Sequence, residues 1–294
     1  VEEAMRNCTY DNITDLVIAA ISPDVSPRVQ AVMSSLIRHL HAFAKDVNLT
    51  TEEWLAACEY FVRTGHKSDH RRNEFILLSD IIGLEVLVDM MDHQITAGET
   101  ESTVIGPFYR ENAPVYPKGA SIVQKLADGA ETVYVEGYVK DASGAPIKGA
   151  TIDVWHTNSN GLYEQQDEDQ PDMNLRGRFQ SDEGGHYAFR CLRPVSYPIP
   201  DDGPGGELLR LMGRHPMRPA HIHFILSAPG MEPIVTQIYD STDEYLDNDS
   251  VFAVKQSLVN VFEKAPKGAD TDFVLRQDWT LKPAAGAPTI SNAA

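Results

Sequence analysis

The sequence is poor in cysteine, in positive charge and in long apolar runs, and each shortage removes a class of protein. Its three cysteines, Cys8, Cys58 and Cys191, are odd in number, far apart and form no CxxC pair. That argues against a disulfide framework and a thiolate metal site, and for a reducing cytoplasm. Basic residues number 25 against 43 acidic ones, a formal charge of −18 over 294 residues. Such a surface repels nucleic acid and anionic membrane, so neither is an expected partner, and the acidity is read as serving solubility. The apolar run from Ile81 to Met91 is too short to cross a bilayer and is interrupted by Glu85 and Asp89, so no membrane insertion is expected. The acidic N-terminal stretch does not resemble a secretory signal. No internal repeat or low-complexity segment stands out.

What is present changes texture near residue 100. Before it the apolar period is helical: Ser26-Pro27 supplies an N-cap and a proline at the first helical position, and Val29, Val32, Met33, Leu36, Leu40 and Phe43 follow at three- and four-residue steps. Thr51, Glu52 and Glu53 open a second amphipathic helix carrying Trp54, Leu55, Cys58, Phe61 and Val62. A third is predicted from about Asn73 into Met91. After Gly98 short β-rich runs alternate with Gly, Pro, Asn and Asp. Thr132 to Val139, Ile152 to Trp155, His186 to Arg190, His221 to Leu226 and Ile234 to Tyr239 read as strands, with turns at residues 143–146 and 182–185. The expected class is α+β: helices over residues 1–100, then a mainly antiparallel β-sandwich over residues 101–294 with an extended tail after Leu281.

The chemistry-bearing stretch is Arg218-Pro219-Ala220-His221-Ile222-His223-Phe224. On a strand, residues i and i+2 share a face about 6.6 Å apart, so His221 and His223 can reach one ion. Two ligands are too few, and no HExxH helix supplies others. Tyr163, after the turn at Asn160-Gly161, and Tyr197, before Pro198, stand in unusual settings. A phenol binds metal poorly at neutral pH unless a trivalent ion favours its ionised form, and hard Fe(III) rewards that most.

With Trp155-His156-Thr157-Asn158 leading to Gly161-Leu162-Tyr163, residues 182–190, Arg193-Pro194, Tyr197-Pro198 and the His-x-His segment in this order, the chain resembles the intradiol ring-cleaving catechol dioxygenases. Residues 74–80 and 102–109 match as well, so the likeness spans roughly residues 20 to 280. The resemblance implies one non-haem Fe(III) per subunit, held by Tyr163, Tyr197, His221 and His223, and a small aromatic diol or triol opened by O2 between its hydroxyl-bearing carbons. It implies that Tyr197 leaves the iron and accepts a proton when substrate binds, that Arg218 stabilises developing negative charge, and that Gln237 supports the same pocket. It sets Leu77, Asp80, Val104, Ile105, Gly106, Pro107, Phe108, Ile199, Pro200, Phe224 and Val251 around the ring. It also implies a homodimer through the N-terminal helices, with an apolar tunnel on the two-fold axis that can hold a phospholipid.

Asp80 bears on substrate choice. A carboxylate beside an apolar pocket is costly unless it meets a donor, and a third ring hydroxyl would be one. That favours hydroxyquinol, 1,2,4-trihydroxybenzene; the alternative is that Asp80 bonds only to a backbone or arginine neighbour. Ile105 stands where the catechol branch usually has an acidic residue before Gly-Pro, so residues 102–108 resemble the hydroxyquinol branch more; this counts against catechol and chlorocatechol, which stay as the competing substrates. A non-catalytic sandwich with a structural zinc is the remote alternative, and it lacks a convincing Cys/His set.

Overall fold

The structure, a computed structural model, describes residues 6–69, 72–95 and 98–284. The chain forms two compact units, Val1–Val62 and Arg63–Ala294. The first holds α1 (Ile13–Ala19), α2 (Pro27–Asp46) and most of α3 (Thr51–Lys67). Ser26 caps α2 as its sequence predicts, its hydroxyl accepting from the Val29 amide, with Pro27 opening the helix. Helix α3 opens at Thr51 as expected, with Thr50 before it as the cap. Thr50 and Glu53 exchange backbone-to-side-chain bonds of 2.9 and 3.2 Å in a capping box. Along α2 the apolar stripe of Val29, Val32, Met33, Leu36, Leu40 and Phe43 stays exposed. No helix of the described residues is long and apolar enough to cross a membrane.

The helix expected from Asn73 to Met91 is two helices, α4 (Glu74–Ile81) and α5 (Leu84–Asp92). Gly83 takes φ 72° between them, a left-handed conformation that ends a helix and that glycine adopts without a Cβ penalty. The Asn73 side chain caps α4 by accepting from the amides of Phe75 and Ile76. Glu74, Leu77, Asp80 and Ile81 form its buried face. This face meets α6 (Pro204–Leu211), unforeseen in the sequence, where a Cβ on Gly205 would come within 3.0 Å of Leu77.

The predicted strands are all present: β1 (Thr132–Asp141), β2 (Thr151–Trp155), β4 (His186–Leu192), β7 (His221–Ser227) and β8 (Ile234–Asp240). Joining them are β3 (Arg176–Gln180), β5 (Tyr197–Pro198), β6 (Met217–Arg218), β9 (Val259–Asn260), β10 (Glu263–Lys264), β11 (Phe273–Arg276) and β12 (Trp279–Leu281). One sheet runs β10-β11-β1-β12 with β4 also on β1, and the other runs β3-β2-β7-β8-β9. The consecutive pairs β2–β3, β5–β6, β7–β8 and β10–β11 are antiparallel. The sheets are nonetheless mixed, because β11 and β12 lie parallel to β1, and β9 parallel to β8. Long returning connections deliver these late strands, and only such crossovers permit parallel pairing.

Val133, Val135 and Val139 of β1, Ile152 and Val154 of β2, and Ile222, Phe224 and Leu226 of β7 alternate into one apolar core with Phe189, Trp279 and Leu281. The amide of Ala284 donates to the carbonyl of Gly230; the rest of the expected tail lies outside the described residues.

Candidate active site

Strand parity puts the two histidines where the core is not. Ile222 and Phe224 enter the core, so His221 and His223 point away from it, both buried. The neighbouring strands pair His221 with Tyr239, and His223 with Gln237 on one side and Trp155 on the other. Trp155 stacks on the His223 ring at 4.8 Å and 6°. The tyrosines arrive from elsewhere. Tyr197 on β5 pairs with Arg218 on β6, and only Pro219 and Ala220 separate that strand from His221. Tyr163 follows Gly161, whose φ of 78° turns the chain and whose missing Cβ would lie 3.0 Å from that of Tyr197. Glycine is required there on both counts. Tyr163 is steadied by its amide bond to the Gln166 side chain at 3.0 Å and by Arg176 over its ring at 5.6 Å.

Four donor atoms thereby converge. Tyr163 Oη is 3.1 Å from Tyr197 Oη, which is 3.3 Å from His221 Nε2, itself 3.1 Å from His223 Nε2. His221 Nδ1 donates to the Pro219 carbonyl at 2.6 Å, so Nε2 keeps its lone pair towards the cluster. Burial, helped by Arg218 and for His223 also by His221, holds both imidazoles well below their usual pKa and thus neutral. Burial raises both phenols; the neighbouring Tyr197 adds to this at Tyr163, while Arg218 opposes it at both. Two neutral imidazoles and two phenols, with no carboxylate among the described residues bonded to them, suit a small, highly charged cation that would ionise the phenols. The donor set therefore fits ferric iron. Among the described residues no group of three or more His, Cys, Asp or Glu side chains is placed to share an ion, and the cysteines are unpaired, Cys191 in the core. Among the described residues only His221 and His223 of the usual zinc ligands meet here, too few to close a tetrahedral site.

Arg218 is buried beside this cluster. Its NH1 lies 3.0 Å from His221 Nε2 and its NH2 donates to Gln237 Oε1 at 3.0 Å, while Gln237 Nε2 donates to the Val104 carbonyl at 2.8 Å. Burial opposes the charge on Arg218, but Asp249, Tyr197 and Tyr239 together outweigh it, and the guanidinium stays ionised.

A narrow cleft leads to Tyr163, Tyr197, Arg218 and His223. Of the residues expected around a ring, Leu77, Asp80, Val104, Gly106, Pro107, Phe108, Ile199, Pro200 and Val251 line it. Phe224 and Ile105 do not. Phe224 has the opposite parity to His223 and packs in the core against Trp279 at 4.9 Å. Ile105 packs beside the Phe108 and Tyr163 rings, and its amide donates to Glu85 Oε1 at 3.1 Å. Asp80 is 2 % exposed and its Oδ1 has no protein partner. Burial, then a hydrogen bond and repulsion from Glu85, raise its pKa to about 10. It is a neutral acid at pH 7, where the sequence suggested a carboxylate.

Several supporting residues carry no signal in the sequence: Asp249 behind Arg218, Glu85 beside Asp80, Tyr239 donating to Gln237 at 2.7 Å, and the buried pair of Glu164 and Arg176 at 2.8 Å. Asp249 lies 31 residues from Arg218, and Glu164 lies 12 from Arg176, so no local spacing marks these pairs; Tyr239 and Glu85 stand close to Gln237 and Asp80 in sequence, but only the fold shows that their side chains meet.

Comparison with known proteins places the chain in a family. The family described as "Dioxygenase" matches residues 104–283, and that described as "Catechol dioxygenase N terminus" matches residues 26–100. The chain is 47% identical to a catechol 1,2-dioxygenase of Candida albicans, over 91% of this chain and 89% of that protein. It is 45% identical to a hydroxyquinol 1,2-dioxygenase of Rhizobium sp., over 91% of each. The crystal structure of hydroxyquinol 1,2-dioxygenase from Pseudomonas putida DLL-E4 superposes with a TM-score of 0.87 at 39% identity, covering 94% of this chain and 99% of that one.

Proposed function

The chain belongs to the intradiol ring-cleaving dioxygenase family, and from that premise we propose that it is a hydroxyquinol 1,2-dioxygenase. It opens 1,2,4-trihydroxybenzene with O2 to 3-hydroxy-cis,cis-muconate, which tautomerises to maleylacetate. Tyr163, Tyr197, His221 and His223 hold one non-haem Fe(III) per subunit; the convergence of their four donor atoms supports this assignment. When bound, the ferric ion supplies Lewis acidity and an electron-accepting centre that opens the catecholate to attack by O2.

The chain's own groups do the rest. Leu77, Val104, Ile199 and Val251 give the ring apolar walls. Tyr197 Oη is the atom that takes a proton from an incoming hydroxyl. Arg218, held charged and aimed at the donor cluster, stabilises negative charge that develops on the opening ring. Gln237 ties Arg218 to the wall at Val104.

The observation that carries the substrate is the unpartnered Oδ1 of buried Asp80 on the cleft wall, an acceptor for the third hydroxyl. The 47% identity to the Candida albicans enzyme favours a second reading, catechol cleaved to cis,cis-muconate. Oxygen uptake with each substrate, with the product identified by mass spectrometry under 18O2, separates them. Hydroxyquinol turning over with the higher kcat/KM and both labelled atoms in the product is expected; faster catechol cleavage establishes the second reading.

The helical segment, residues 1–100, is assigned to linking and dimerisation, with Leu77 and Asp80 lent to the cleft, and residues 101–294 to the rest of catalysis. The exposed stripe of α2 supports a homodimer and is apolar enough to hold a phospholipid. The unpaired cysteines are in keeping with a cytoplasmic location.

A further inference from the structure

We propose that Asp249 is a positioning residue for the ring-opening step, fixing the direction of Arg218 from the turn that also carries the cleft residue Val251; the inference rests on the dioxygenase reading above. Asp249 is 4% exposed, and each of its oxygens accepts twice. Oδ1 takes the Arg218 Nε–H at 3.2 Å and the Val251 amide at 3.3 Å. Oδ2 takes the Arg218 NH2 at 3.4 Å and the Ala253 amide at 3.0 Å. One carboxylate therefore grips the side of the guanidinium and folds residues 249–253 around itself.

That fold is a strained one: Phe252, between the two bonded amides, has φ 60°, which a non-glycine residue adopts only when its surroundings impose it. Val251, held by the same carboxylate, lines the cleft.

The two-point grip fixes the plane of the guanidinium. NH2 also reaches Gln237 Oε1 at 3.0 Å and Tyr239 Oη at 3.5 Å, which leaves NH1 as the corner directed at the donor cluster, 3.0 Å from His221 Nε2. Gln237 continues the chain of bonds to the Val104 carbonyl. Asp249, Arg218 and Gln237 thus brace Val251 and Val104, two walls of the one cleft, with the positive group between them. A guanidinium released from Asp249 can turn to meet the substrate anion in the ground state. Binding then holds or tightens while the transition state loses its aligned charge.

The test is a double-mutant cycle on the iron-loaded enzyme with hydroxyquinol and catechol: native, Asp249→Asn, Arg218→Gln, and both together. Asp249→Asn is expected to lower kcat by about 30-fold while the anaerobic substrate Kd stays within about 3-fold or tightens, a split that loss of packing alone does not give. In the Arg218→Gln background the same change is expected to cost less than about 3-fold, because the residue acts through the arginine. Equal losses in the two backgrounds, or a loss carried by Kd, overturn the proposal. Should Asp249→Asn alone fail to fold, the comparison of Arg218→Gln with the double variant, in which no charge is left unpaired, decides it. A further loss of about 30-fold there refutes the assignment, and near-equality upholds it. A native enzyme that cleaves neither ring removes the functional reading and this inference together, whereas additivity in an active enzyme removes only the role of Asp249.

Discussion

Replacing Asp80 by leucine and by asparagine separates what its shape does from what its charge does. The side chain sits 2 % exposed on the cleft wall with Oδ1 unpartnered, and burial together with the Glu85 carboxyl lifts its pKa to about 10. At pH 7 it is a neutral acid. Its free oxygen can accept from the third hydroxyl of hydroxyquinol without repelling a ring that has lost protons to bind. Asparagine keeps a carbonyl oxygen, offers an N–H in place of the acid proton, and adds no charge. Leucine removes the acceptor and leaves the buried hydroxyl unpaired, which costs about 1–3 kcal/mol, or roughly 5- to 150-fold in discrimination. In steady-state oxygen uptake, Asp80→Leu should therefore lower kcat/KM for hydroxyquinol by about 10- to 100-fold relative to catechol, and Asp80→Asn by less than about 5-fold. Parallel losses on both substrates would show that Asp80 does not read the third hydroxyl. An asparagine as damaging as leucine would show that the residue works as an anion.

The same raised pKa has a signature in stability. The folded Asp80 keeps a proton up to about pH 10 that its unfolded form, near 3.8, releases, so its contribution becomes progressively less favourable as pH rises through that window. Asp80→Asn escapes the loss: its stability relative to native protein should climb by up to about 1.4 kcal/mol per pH unit between pH 5 and 9 in urea unfolding, and a constant difference would refute the neutral acid. Gly161→Ala combines a φ of 78° with a Cβ 3.0 Å from that of Tyr197. A loss of about 2 kcal/mol in urea unfolding is expected, with weaker iron retention as Tyr197 is displaced, and unchanged values would mean that the turn adapts.

Much of this was legible in the sequence because the signals are periodic. Parity on β7 separates His221 and His223 from the core, and the capped stripe of α2 declares itself over five turns. The same parity argues against Phe224 as a pocket residue, since it shares a face with Ile222. The break at Gly83 was hidden because apolar residues continue on both sides of it and only the left-handed φ interrupts the helix. Strands β3, β11 and β12 are short and take their place from pairing with distant partners, not from local pattern. Asp80 was visible as a residue beside the ring, but its protonation was not, because that depends on Glu85 and on burial that only folding supplies.

The central claim is that two tyrosines and two histidines hold ferric iron. The direct measurement is the visible spectrum of the purified protein titrated with Fe(III), repeated with Tyr163→Phe and, without oxygen, with hydroxyquinol. A broad phenolate-to-iron absorption that saturates at one iron per chain, changes in Tyr163→Phe and shifts on adding hydroxyquinol is predicted. A protein that remains colourless after Fe(III) loading would remove Tyr163 and Tyr197 as ligands and contradict the account.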